Sequence, residues 1–158
     1  PMAGLSGNKS NGEEFARLVK AVKDSCEAGS FKTVSLIWMQ GESDANRDLA
    51  VAYERSFTTL VFRLRKELGL DQMRFVIGRI SDYGLHGDKS EGWIRMRAVQ
   101  QQIAESDPLG AWIDTDDLNG SDAAKPQGDL HYPKEQSRML GARFALAALV
   151  QLGVECRK

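Results

Sequence analysis

Apolar residues recur along the chain in two alternating patterns. Apolar positions spaced three and four apart predict amphipathic helices, and short β-branched apolar runs predict buried strands of a parallel sheet. The predicted helices span residues 13–28, 49–68, 93–105 and 134–152, and the predicted strands span residues 33–39, 73–80 and 111–114. Helices and strands therefore alternate along the whole chain.

Repeated strand–helix units favour an α/β fold, a three-layer α/β/α sandwich with helices on both faces of a mostly parallel sheet. The 158 residues fit a single domain, and the sequence shows no linker or internal repeat. Two polar segments, residues 81–92 and 116–128, each follow a predicted strand. Open α/β sheets bind ligands at the carboxyl ends of their strands, so these segments are expected to border the functional site.

Charge and composition narrow the class of function. Lys and Arg number 21 against 22 Asp and Glu, and the net charge of −1 argues against nucleic-acid binding, which favours a basic surface. No apolar run approaches the roughly 20 residues that cross a bilayer, so no membrane-spanning helix is expected. Cys26 and Cys156 are compatible with one disulfide or two free thiols, and secreted, periplasmic and cytoplasmic locations all stay open.

The first candidate motif runs out of the carboxyl end of the first predicted strand. Residues 38–45 read Trp-Met-Gln-Gly-Glu-Ser-Asp-Ala. Taken alone, this segment is explained as well by a polar strand-to-helix loop in which the side chain of Ser43 or Asp44 caps the next helix.

The second candidate motif, residues 128–133, reads Gly-Asp-Leu-His-Tyr-Pro and precedes the last predicted helix. Asp129 lies two positions before His131. A carboxylate there can orient the imidazole through one nitrogen and leave the other to accept a proton from a hydroxyl nucleophile. The alternative is a histidine near a helix start, with Asp129 as a turn residue. The other histidine, His86, is expected in a solvated loop, with a lesser chance of lining a cleft.

Together the two motifs resemble the sialate O-acetylesterase and acetylxylan esterase branch of the SGNH-hydrolase superfamily. The third sequence block of that branch reads Trp-x-Gln-Gly-Glu-Ser-Asp/Asn-Ala. Its last block reads Asp-x-His or Asp-x-x-His before a helix with Leu-Gly-x-Arg-x-Ala, and residues 140–145 here read Leu-Gly-Ala-Arg-Phe-Ala. Arg97 and Gln100 match an Arg-x-x-Gln pair that the family often carries. The resemblance covers residues 13–152 and implies an SGNH, flavodoxin-like fold.

This resemblance implies a serine esterase that removes O-acetyl groups from carbohydrates without a cofactor. His131 would be the general base, and Asp129 would orient it. The side-chain amide of Gln40 would lie near the oxyanion, and Gly41 would give room for close approach. Glu42 would hold the loop through hydrogen bonds. Acyl transfer needs such a proton acceptor, and it needs donors beside a developing negative oxygen.

The family's nucleophilic serine stands at the end of a first strand, and this sequence lacks that block. Ser6 and Ser10 have too few residues before them to form the buried strand. The simplest interpretation is that residues 1–158 are the carboxyl-terminal portion of a longer esterase domain, with the nucleophile outside the chain. The sheet would then expose an edge that favours pairing with another chain, as a homodimer or in aggregates.

Two other interpretations of the function stay open. Residues 41–45 approach the Gly-x-Ser-x-Gly elbow of α/β-hydrolases, which would make Ser43 the nucleophile, although Ala45 replaces the last glycine. A non-catalytic carbohydrate-binding remnant would also explain the missing serine.

Metal and nucleotide chemistry find little support in the sequence. Asp114, Asp116 and Asp117 follow a predicted strand, but no ligand spacing is recognisable, and a solvated loop is the commoner explanation. No glycine-rich phosphate motif is present, so no nucleotide cofactor is expected.

Overall fold

The computed structural model describes residues 9–29, 31, 33–88, 90–120 and 128–154. Its helices are α1 (Lys9–Ala28), α2 (Glu42–Ala45), α3 (Ala50–Leu68), α4 (Ser90–Ser106) and α5 (Lys134–Gln151), and its strands are β1 (Ser35–Trp38), β2 (Arg74–Gly78) and β3 (Gly110–Ile113). All seven predicted elements are present, with ends displaced by at most four residues. The short helix α2 was not predicted.

The three strands form a parallel sheet in the order β1–β2–β3. Helices α3 and α4 cover one face with α1 packed on α3, and α5 covers β2 and β3 on the other. Side chains alternate between these faces, as strand geometry requires. The first face carries Leu36, Trp38, Phe75, Ile77 and Trp112, and the second carries Val76, Ala111 and Ile113. The three-layer α/β/α architecture is confirmed.

Phe57 of α3 lies at the centre of the larger core and is fully buried. Its ring packs edge-on against Trp38 of β1 at 5.5 Å and against Phe75 of β2 at 5.3 Å between centroids. Burying a side chain of this size stabilises the fold by roughly 1.5–3 kcal/mol. This aromatic contact therefore fixes how α3 sits on the strands that lead to the site.

The turn from α3 into β2 depends on a left-handed residue. Gly69 has φ 65°, and the N–H of Leu70 donates to the carbonyl of Arg65 at 2.9 Å. Glycine adopts this conformation without the cost that a Cβ imposes, and the bond satisfies a carbonyl at the helix end. The helix ends at Leu68, as the spacing of apolar residues predicts.

Strand β1 is less buried than its apolar sequence predicts. Its residues are half-buried or exposed, and 45% of the surface of Ile37 is accessible. In the described part of the chain β1 pairs only with β2, and α5 packs on β2 and β3 instead. The burial of an apolar strand depends on what packs against it, which the strand's own sequence does not encode.

Candidate active site

Residues that follow the three parallel strands lie together at one edge of the sheet. Glu42 lies beyond β1, Ser81 beyond β2 and Thr115 beyond β3. Tyr132, from the loop before α5, reaches this edge. Its hydroxyl donates to Thr115 Oγ1 at 2.8 Å, and Ser81 and the charge of Glu42 both act on its pKa. The loop before α5 therefore reaches the same carboxyl edge of the sheet from which the loop after β1 departs.

The phenol of Tyr132 is held in its neutral, donating form. Burial raises its pKa, and the negative charge of Glu42 raises it further, whereas the hydrogen bonds with Thr115 and Ser81 lower it. The net shift is upward, away from neutral pH. Tyr132 is therefore a stable anchor for the loop that carries His131.

The loop after β1 turns at Gly41, which has φ 148°. A Cβ at this position would lie 2.7 Å from Gln100 Nε2 and 3.3 Å from Ile80 Cγ2. The backbone conformation and the close packing both require glycine here. Gly41 thus allows a close approach of α4 to the loop, and the close approach of a substrate stays a prediction.

The side chain of Gln40 lies inside the loop. Its Nε2 donates to Asp44 Oδ2 at 2.8 Å, and Asp44 is almost fully buried. The second hydrogen on Nε2 remains for another acceptor. Gln40 Oε1 is buried and has no hydrogen-bond partner among the described residues. A buried amide oxygen without a hydrogen-bond donor lowers the stability of the folded protein. The described residues alone therefore leave the hydrogen-bonding capacity of this side chain partly unused.

Glu42 is half-buried, and its carboxylate makes no hydrogen bond within the described part of the chain. The hydrogen bonds expected to hold the loop through Glu42 are thus not seen there. Its charge does act on the phenols of Tyr53 and Tyr132. Glu42 therefore contributes negative potential to the site.

Asp129 and His131 lie on the loop between Gly128 and α5. The backbone N–H of Asp129 donates to the carbonyl of Asn119 at 2.7 Å, and its Oδ1 accepts from the N–H of Leu130 at 2.8 Å. The imidazole of His131 is exposed and forms no hydrogen bond with the described residues. The structure thus anchors this loop beside β3, but it shows no bond from Asp129 to the His131 ring.

Arg97 of α4 ties the ends of β2 and β3 together. Its guanidinium donates to both carboxylate oxygens of Asp116, at 2.7 and 2.8 Å, and to the carbonyl of Ile80. Only 11% of the Arg97 side chain is accessible, so this two-point ion pair is better shielded than a surface pair. The pair holds the segment after β3 in place.

Sequence reasoning gave no role to three polar residues that shape this edge: Ser81, Thr115 and Tyr132. Ser81 and Thr115 could have been identified from the sequence, because each directly follows a predicted strand. Tyr132 lies inside the second motif, but only the tertiary structure shows that its hydroxyl reaches β3.

Ser43 lies in the first turn of α2 with helical backbone and is exposed. Its side chain forms no hydrogen bond with the described residues, so the helix cap considered for it is not seen there. A nucleophile elbow places serine on a strained turn, yet the one described non-glycine residue with positive φ is Asp48. His86 is exposed at the end of a short 3₁₀ turn.

The three aspartates considered as metal ligands instead face arginines. Asp114 pairs with Arg79, Asp116 pairs with Arg97 and Asp117 pairs with Arg143. No group of three or more metal-binding side chains occurs among the described residues. In the same part of the chain, no helix has the length and apolar character needed to cross a bilayer.

Several sequence predictions concern residues outside the described ranges. These include Ser6, Cys156 and part of the segment 116–128. Cys26 lies on α1 with an exposed thiol.

Comparison with known proteins places this chain in a family. The structure resembles that of a novel carbohydrate acetylesterase from Xanthomonas citri with a TM-score of 0.58 and 26% sequence identity, over 73% of this chain and 25% of that chain. The chain therefore spans about a quarter of the length of that protein. A comparison with curated proteins found no significant match. The sequence profile of the carbohydrate esterases described as sialic acid-specific acetylesterases matches residues 5–150, and the chain belongs to that family.

Proposed function

We propose that this chain carries the proton-transfer and oxyanion side of a carbohydrate O-acetylesterase site, with the nucleophilic serine supplied from outside residues 1–158. Family membership and the acetylesterase from Xanthomonas citri support the reaction class. The substrate proposed is an acetylated carbohydrate.

The observation that carries the proposal is that both motif loops lie at the carboxyl edge of the sheet. Tyr132 bonds Thr115 and interacts with Glu42, so residues some ninety positions apart in the chain share one edge of the sheet. Ligands of open α/β sheets bind at this edge. In this proposal, one ester bound at that edge contacts both the loop carrying His131 and the loop carrying Gln40.

In the proposed mechanism, His131 accepts the proton of the serine hydroxyl as its oxygen attacks the acetyl carbon. The carbonyl oxygen becomes negative, and the second hydrogen on Gln40 Nε2 and the N–H of Gly41 are the proposed donors to it. His131 then protonates the departing sugar oxygen. Water then attacks the acetyl-enzyme; His131 accepts the water's proton and returns it to the serine oxygen as the ester bond breaks and acetate leaves. Asp129 is proposed to orient the imidazole during both steps.

Hydrolysis of an aryl acetate by the purified chain, alone and with the upstream part of its natural protein, tests this proposal. His131→Ala is expected to lower kcat about 10²- to 10⁴-fold, the usual contribution of a general base. His86→Ala is the matched control, since it removes the other histidine from an exposed loop, and it should leave kcat unchanged. Equal losses in the two variants would contradict the role of His131.

Ser43→Ala separates this proposal from an elbow mechanism. Retained activity in that variant agrees with a serine outside the chain, whereas its loss in a folded protein would identify Ser43 as the nucleophile.

A carbohydrate-binding remnant predicts a different pattern. An acetylated xylo-oligosaccharide would then shift the NMR signals of Ser81, Thr115 and Tyr132 without any release of acetate. Binding without turnover, in the presence of the upstream part, would favour that alternative.

A further inference from the structure

One amide side chain connects the loop after β1 to the end of β2. Gln100 of α4 is fully buried. Its Oε1 accepts from the N–H of Ile80 at 2.9 Å, and its Nε2 donates to the carbonyl of Gln40 at 2.9 Å. This side chain has partners at the ends of two different strands. Each hydrogen bond constrains a different segment, so the side chain does more than fill space in the core.

The chemistry of the side chain is specific to this bridge. It must accept from one backbone group and donate to another, which a primary amide does and a hydrocarbon or an ionised carboxylate does not. Tyr53 of α3 holds the same carbonyl: its hydroxyl also donates to the carbonyl of Gln40, at 3.1 Å. Burial raises the pKa of Tyr53 to about 12, so that hydroxyl stays protonated.

These bonds fix the orientation of a whole peptide unit. The carbonyl of Gln40 and the N–H of Gly41 belong to the same planar trans peptide, in which they point in opposite directions. Since the carbonyl is held by Gln100 and Tyr53, the N–H of Gly41 must point away from both. That N–H makes no hydrogen bond with any described residue. It is thus oriented and still available as a donor.

We propose that Gln100 is a positioning residue of the acyl-transfer site: it holds the Gln40–Gly41 peptide so that the Gly41 N–H is directed at the acyl oxygen. This inference rests on the proposed function. Gln100 itself touches neither substrate nor reacting atoms in this proposal. The close packing at Gly41, where a Cβ would meet Gln100 Nε2, leaves the peptide little room to rotate.

The test compares Gln100→Met with Gln102→Met. Methionine has a similar length but cannot form either bond, and Gln102 lies exposed on the same helix, so its variant is the matched control. The first measurement is the residual dipolar coupling of the Gly41 N–H in the intact chain, referenced to amides of β2 and β3. In Gln100→Met this coupling should depart from the wild-type value, while the sheet couplings stay unchanged.

If Gln100 only stabilised the fold, its replacement would leave the Gly41 coupling unchanged. A variant that is less stable but still folded keeps the Gly41 coupling, and an unchanged coupling would overturn the proposal. If Gln100→Met does not fold, Tyr53→Phe removes one donor to the same carbonyl while retaining the ring, and it should move the Gly41 coupling by a smaller amount. No movement in that variant would likewise count against the proposal.

The second measurement is aryl-acetate turnover. Misplacement of a reacting group costs up to about 10²-fold in rate, so Gln100→Met should lower kcat by roughly 10- to 100-fold with KM unchanged. A displaced Gly41 coupling together with wild-type kcat would refute the link to catalysis. A wild-type chain that shows no esterase activity even together with the upstream part that supplies the serine would contradict the proposed function itself, and the coupling would then decide alone whether Gln100 fixes the peptide.

Discussion

At the scale of single residues, the site depends on two positions where the surrounding structure requires one particular amino acid. Gly41 combines φ 148° with a packing distance that no Cβ tolerates, and Gln100 supplies both a donor and an acceptor in a fully buried position. Both residues belong to motifs visible in the sequence. The reason why each residue is required cannot be seen in the sequence, because it depends on contacts with atoms of another strand or helix.

Gly41→Ala is expected to lower the free energy of unfolding by about 1–3 kcal/mol. The alanine would adopt a strained backbone conformation, and its Cβ would displace Gln100 Nε2. Urea unfolding followed by circular dichroism measures the change.

Gly141→Ala is the control for this substitution. Gly141 is exposed within α5 and has nothing within 4 Å of an added Cβ, so alanine there should stabilise the protein by about 0.5–1 kcal/mol. A neutral or stabilising effect at Gly41 would contradict the packing described here.

At the scale of elements, polar contacts at helix and strand ends determine how the helices meet the sheet. Arg65, near the end of α3, binds Asp107 in the turn from α4 to β3 at 2.7 Å and also donates to the carbonyl of Met73. One guanidinium thereby joins the end of α3 to two connections at the amino edge of the sheet. Arg97 likewise joins α4 to two connections at the opposite edge, beside the site.

The Arg65–Asp107 pair predicts a pH dependence of stability. Burial raises the pKa of Asp107, but the hydrogen bonds from Arg65 and the N–H of Leu109 outweigh it, and the net shift is downward. A carboxylate with a lowered folded-state pKa stabilises the protein above its unfolded pKa of about 3.9. That stabilisation is lost as the pH falls through the folded value.

Asp107→Asn should therefore be less stable than wild type at pH 7, and the difference should shrink as the pH falls below about 4. Thermal unfolding between pH 7 and pH 2.5 measures it. Asp71→Asn is the control, because Asp71 is exposed and forms no hydrogen bond with the described residues. A difference for Asp107→Asn that stays constant with pH would show that the ion pair is not its cause.

At the scale of the whole molecule, the two faces of the sheet are covered unequally. Helices α3 and α4 cover the first face, whereas on the second face Ile37 of β1 is 45% accessible beyond the reach of α5. Among the described residues β1 is an edge strand of the sheet, and an apolar edge strand offers unpaired backbone groups to another chain. The expectation of a homodimer stands as a proposal on this ground.

Sedimentation velocity tests this self-association. The wild-type chain should sediment faster as its concentration rises, and Ile37→Lys should return it to a monomer, since a charged edge strand opposes pairing. Val51→Lys places the same charge on the exposed surface of α3 and should leave association intact. A wild-type monomer at every concentration would contradict the proposal.

The sequence by itself determined the order and type of the main elements. The spacing of apolar residues is a local property, and its period differs between helices and strands. The sequence also identified the two motif loops, since both follow from strand and helix boundaries. Only the tertiary structure decided which side chains meet. The partners of Tyr132, the bridge through Gln100 and the partial exposure of β1 all depend on contacts between segments far apart in the chain. Such contacts are set by how whole elements pack, and no local pattern encodes them.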